Sequence, residues 1–363
     1  MSERANAADG EAAGSGTDRA PTSIGALLTA SILDVDGQPL SGRDLLAAGI
    51  VAGHWQRLER ELEEGLGLVA ADPVSKPDTA EQLRAFRLAR GLLSAEDMRA
   101  WMEPRGLSIG AVTAVAARVV ARARGGVAAG VAPNEVANAL AAEAICAGVL
   151  AEIGWWLADR MLSAKLTAAD TAPAALESIR VQRLVFSEAT SIAGRASQEP
   201  GLLRAERIAR IVPLDDAHAS WQVRVAGDGE LSRRLRDHEL DWCRYEFEEL
   251  RLRVPGAAAE AARQLAEGVE ARAVAAAAGV PLAIHELVLA DASPALIRAL
   301  TGAVAGEVAG PWEEADEHVV VRVRGRRLPH ASDEALVARA RAELVADATT
   351  RLRAGRVRWH DWA

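Results

Sequence analysis

Seven histidines and two cysteines are the side chains of this chain best suited to chemistry near neutral pH, and their spacing decides what they can do. Two His-Glu pairs, His238-Glu239 and His285-Glu286, supply the first half of a zinc-hydrolase HExxH helix. Trp242 and Leu289 stand where the second histidine belongs, so no metal site is expected. Cys146 and Cys243 lie far apart, in neither a CxxC pair nor a multi-bridge framework, and read as buried reduced thiols. Gly106 to Gly110 spells GxSxG, but a helix ending near Pro104 precedes Ser108 where a nucleophile elbow needs a strand. Ser108 reads instead as a helix cap. No Walker-type GxxxxGK[ST] loop occurs, a turn explains Gly227-Asp228-Gly229, and no cofactor is expected. What remains is Glu249, His285 and His318, a mixed acid and base cluster if a small sheet brings them together.

The elements that must position these groups belong to a chain of 363 residues, 50% hydrophobic, 26% charged and 4% aromatic. That balance is globular, with length enough for about two domains. A net charge of −9 argues against a broad cationic surface for nucleic acid or anionic lipid. Two arginine clusters, at Arg322, Arg324, Arg326 and Arg327 and at Arg351, Arg353, Arg356 and Arg358, are the exceptions. Acidic residues at Glu313, Glu314, Asp316 and Glu317 break the stripe that nucleic acid would need, so no nucleic-acid partner is expected. Residues 1–20 lack the apolar stretch of a secretory signal, and the apolar region from Ala111 to Leu150 is interrupted by Arg118, Arg122, Arg124 and Pro133. A cytoplasmic protein without a membrane partner is the expectation.

The periodicities predict an α+β chain that is mainly α. A disordered tail over 1–22 precedes a helical module over 23–241. His54 to Leu68 is an amphipathic helix, and Ser94 and Ser108 cap two of three helices between Thr79 and Arg124. One long helix is predicted from Glu135 to about Leu166, the segment from Ala174 to Phe186 is ambiguous between helix and strand, and Asp216 caps a helix reaching Val225. From Trp242 the pattern changes: strand, Ala-rich helix from Ala257 to Ala278, strand from Ile284, short helix from Pro294, and strand from His318 to Val323 make a small α+β unit over 242–330. A helix opened by Ser332 and a C-terminal tail fill 331–363 and pack back on the helical module; RVRWHDWA, the last eight residues, reads equally as an ordered clasp or a frayed end.

Glu249-Leu250-Arg251-Leu252, the Ala-rich helix and GEVAGPWEEADEHVVVRVRGRR from Gly306 together resemble the parvulin (PpiC-type) peptidyl-prolyl isomerase domain over about ninety residues. FRLARGLLSAEDMRAWMEPRGLS from Phe86 looks like the helical module of SurA-like chaperones, in which a C-terminal helix joins the N-terminal part. In active parvulins the resemblance implies a histidine on the first strand and another on the last. Here Glu249 takes the first position and Val319 the second. His318 is one residue early, and alternation along a strand sends it to the opposite face. The family's Gly-Asp-Leu-Gly-Trp-Phe segment has no counterpart. The implied domain is a degenerate isomerase.

AEAICAGVLAEIGWWLADRM and HELDWCRYEFEEL are also similar to PpiC-related proteins associated with maturation of ribosomally made, modified peptides. That resemblance implies a precursor peptide, or the enzyme that modifies it, as partner. Phe247, Trp312, Trp155 and Trp156 are the expected peptide-binding residues. The expected function is thus a peptide-binding chaperone or accessory protein. Two alternatives stand beside it: an enzyme, either residual prolyl isomerase or tailoring catalyst, built on Glu249, His285 and His318, and a structural scaffold.

Overall fold

The structure, a computed structural model, describes residues 24–167, 179–196 and 201–360. The expected N-terminal tail and the start of the ambiguous segment at 174 lie outside the described residues. The fold is α+β and mainly α, and the chain divides into two compact units, Met1–Trp221 with Leu352–Ala363, and Gln222–Arg351. These boundaries fall at 222 and 351, not at 242 and 331.

The first unit opens with α1 (Ile24–Thr29) and a hairpin of β1 (Ser31–Val35) and β2 (Gln38–Ser41). Asp36 and Gly37 both have positive φ, 55° and 79°, which matches the twist of a two-residue hairpin. In α2 (Gly42–Val51), the Asp44 carboxylate accepts from the Ser41 backbone and hydroxyl, and Gly42 has no room for a Cβ beside the Leu27 carbonyl. The helix read from His54 is α3 (His54–Ala71), burying Trp55, Leu58, Leu62 and Leu68 along one stripe. Next come α4 (Lys76–Ala89), α5 (Ala95–Met102) and α6 (Ile109–Arg124). Ser94 and Ser108 accept from the amides of Asp97 and Ala111, as capping residues do.

The predicted single helix from Glu135 is instead two, α7 (Pro133–Cys146) and α8 (Val149–Thr167), bent by 66°. Gly148, with φ 76°, provides the left-handed stop that an unbroken apolar period conceals. No single helix among the described residues is long and apolar enough to cross a membrane. The ambiguous segment is helical where described, in α9 (Ile179–Thr190), followed by α10 (Ile192–Ala196) and α11 (Gly201–Val225). Asp216 caps nothing: α11 runs through Pro213 on a buried stripe of Ile208, Ile211, Val212 and Trp221, and Asp216 pairs with Arg180 at 2.7 Å.

The second unit begins with α12 (Asp228–Asp237) and β3 (Arg244–Leu252). Gly268, at φ 88°, splits the expected Ala-rich helix into α13 (Pro255–Ala266) and α14 (Ala271–Ala278). β4 (Ala283–Val288), α15 (Pro294–Leu300), β5 (Val308–Glu314) and β6 (Glu317–Arg327) follow. The sheet is antiparallel in the order β4-β3-β6-β5, with four strands rather than three. The stretch from Gly306 ahead of His318, which contains Gly310-Pro311, reads from sequence as a turn. The strand absorbs that pair in a register shift between Ala309 and Trp312 at the sheet's edge. Tyr245, Phe247, Val319, Val321 and Val323 pack one face against Leu296 and Leu300; Leu250, Leu252 and Val320 pack the other against Ala258, Leu265 and Val274. In α16 (Glu334–Arg353), Leu336, Ala340 and Leu344 pack with Leu231, Leu235 and Trp242 inside this unit, and Asp333 rather than Ser332 bonds the Leu336 amide.

The chain then returns to the first unit as β7 (Val357–Trp359), which pairs with β1 to make a sheet ordered β2-β1-β7. Arg353 forks onto Asp159 with two 2.7 Å bonds, and Arg356 forks onto Asp36, which Lys165 also holds at 2.7 Å. The segment is an ordered clasp through His360.

Candidate functional site

The cross-strand register of the second unit determines which candidate residues meet. Directly opposed residues share a face, so Phe247 with His285 and Val323, and Glu249 with Val321, lie on one side of the sheet. His318 faces Leu252 and shares the other side. The expected three-residue cluster is therefore reduced to two: Glu249 and His285 approach, with Nε2 3.8 Å from Oε1, and His318 does not join them.

Glu249 sits near the middle of β3 with a buried carboxylate. Its principal partner is Arg251, two residues along the same face, whose Nε donates to Oε1 at 2.6 Å. The same guanidinium donates to Glu314 on β5 at 3.0 Å, so one cation bridges two acids across the sheet. The bond to Glu249 is the first cause holding the Arg251 guanidinium above its ordinary range. The pairing fixes the position of the Glu249 carboxylate on this face. Val319, where the resemblance places the second histidine, is fully buried beside Phe247 and Val321. It can neither donate nor accept a proton.

Two of the expected peptide-binding residues belong to this face in different ways. Phe247 is 1% exposed, its ring 5.4 Å from that of His285, so it is a core residue covered from peptide. Trp312, opposite Val319 on β5, is half-buried against the same core, and its Nε1–H is buried with no hydrogen-bond partner among the described residues. Trp155 and Trp156, both half-buried, belong to the first unit and not to this sheet. Trp155 packs edge-on against Trp359 at 5.3 Å under the Arg353 guanidinium, and Trp156 lies 3.6 Å beneath Arg160. Both rings hold the first unit together.

Arg251 and Glu314 are the site residues that sequence reasoning missed. An acid and a base two apart on a strand share a face, and Glu249-Leu250-Arg251 carries that signal; Glu314 became legible only once β5 was a strand. Burial pushes the thiols of Cys146, to about 12, and of Cys243 upward, so neither is a ready nucleophile. Among the described residues no three His, Cys, Asp or Glu side chains are grouped to hold a metal ion. Of the arginines in β6, Arg322, Arg324 and Arg327 pair with Glu248, Glu246 and Glu286.

No family model and no curated protein matches this chain. A solved chain to which it is similar, at 9% identity over 92% of this chain and 99% of that one, is described as one of two structurally related SurA-like chaperones of Campylobacter jejuni, the virulence factor PEB4 and the periplasmic protein Cj1289. The TM-score is 0.19, too low to carry a functional inference.

Proposed function

We propose that this chain is a peptide-binding accessory protein of the chaperone type, whose second unit has a parvulin-like sheet without prolyl isomerase chemistry. The observation that carries the reading is the pair of side chains standing where imidazoles are implied: Glu249, tied to Arg251, and Val319, sealed in the core. A sheet without the implied imidazole pair is suited to holding a peptide rather than rotating its prolyl bond. β4 supports this, being an edge strand whose Ile284, His285 and Glu286 are exposed. An extended peptide can add to such an edge through main-chain hydrogen bonds, its side chains alternating between the two faces. The resemblance noted above makes a precursor peptide on its way to modification the favoured partner.

Hydrogen exchange during titration with proline-containing peptides tests this. Amides of Ala283–Val288 should become protected as peptide is added. Protection confined to other segments, with β4 unchanged at saturation, would overturn the proposal.

A further inference from the structure

The first unit holds a cavity of about 430 Å³ built from its own residues. Leu40 from β2, Leu157 and Met161 from α8, and Ile211 and Leu214 from α11 give it an apolar floor. Its polar lining is cationic in balance: Lys165, Arg207 and Arg210 against one acid, Asp44. Two of the cations are already engaged, since Arg207 lies 3.6 Å from Asp44 and Lys165 is bonded to Asp36 at 2.7 Å. Arg210 is exposed, and among the described residues its guanidinium bonds only the Glu206 carbonyl of its own helix, at 3.4 Å. An apolar cavity with a surplus cation at its mouth, in a chain of net charge −9, selects an apolar ligand that ends in an anion.

We propose that this cavity receives the C-terminal end of a peptide with apolar last residues, its carboxylate against Arg210. Two features favour a peptide over a hydrocarbon chain bearing the same carboxylate. Gln38 also lines the cavity, and a peptide's carbonyl and N–H groups satisfy its exposed amide, which methylenes would cover without pairing. Gln38 and Leu40, two residues apart on the same face, belong to β2, the outer strand of its sheet, alongside which an extended chain can lie. The proposal uses none of the sheet-face residues of the second unit, so the two readings fail separately.

The test is a fluorescence-anisotropy titration of the full chain with labelled Ala-Ala-Leu-Ile-Leu as free acid and as C-terminal amide, with dodecanoate as competitor. The acid should bind, the amide about tenfold or more weaker, as expected for loss of a charge-assisted bond. Arg210→Glu, an exposed change, should weaken the acid by a similar factor and leave the amide unchanged. Met161→Trp, which fills the cavity, should abolish binding, and Arg210→Glu keeps the test decisive if that variant does not fold. Equal affinity for acid and amide, insensitivity to Arg210→Glu, or no binding of either peptide overturns the proposal. Displacement by dodecanoate without peptide binding also overturns it and assigns the cavity to a fatty acid.

Discussion

Glu143 and His218 show how burial and charge act on single residues here. Glu143 is 1% exposed and accepts two bonds from the buried Arg118, at 2.7 and 2.9 Å, and a third from Arg122 at 3.1 Å. Removing Arg118 leaves the buried Glu143 to Arg122 alone, so Arg118→Ala should destabilise the first unit by up to about 3–5 kcal/mol, read as a lower urea midpoint. His218 is buried against Ser163 at 3.0 Å and stacked on Trp221, and burial lowers its pKa from the ordinary 6.5. The unfolded chain therefore binds more protons than the fold once the pH drops below that value. The stabilisation is complete above pH 6.5 and is lost as pH falls toward the folded pKa. His54 is lowered in the same sense, again by burial first. Urea midpoints at pH 7.5 and 5.5 should separate clearly for the wild type and less for His218→Gln; equal separation in both would contradict this account. Glu249 was legible in the sequence as a substituted position. The fate of Trp155 was not, because its partners Trp359 and Arg353 lie about two hundred residues away.

Elements whose ends are set locally were the most legible. Ser94 and Ser108 each satisfy an amide three residues on, and both caps stand where the spacing puts them. The breaks at Gly148 and Gly268 were missed because an apolar period continues across each and hides a single left-handed residue. The hairpin at Asp36-Gly37 carried a recognisable turn signal between alternating apolar residues, one that the helical character of its surroundings masked. β7 is the element with most at stake for its length. Trp359 stacks closely enough on Gly154 that a Cβ there would lie 2.3 Å from the ring. Gly154→Ala should lower the thermal midpoint by displacing the strand, and Trp359→Ala, at a half-buried ring, should cost roughly 3 kcal/mol. In the double variant the two losses should be less than additive. Strict additivity would show that ring and glycine do not share one contact.

At the scale of the whole molecule, the class was readable from composition and periodicity, and the unit boundaries were not. The second unit reaches back to residue 222 because Leu231 and Leu235 share a core with Leu336, Ala340 and Leu344, a pairing across a hundred residues that no window contains. The segment Gln222–Arg351, with its own clusters on both sheet faces, should express as a cooperatively folding fragment, whereas a fragment cut at 242 and 331 should not. Folding of the shorter piece alone would refute that division. The functional claim rests on the same unit, through the replacement of both implied imidazoles by Glu249 and Val319. It is tested most directly by exchange NMR of a proline-containing peptide held at saturating protein. The account predicts an unchanged cis to trans rate despite binding; an accelerated rate that Glu249→Ala or His285→Ala abolishes would contradict it.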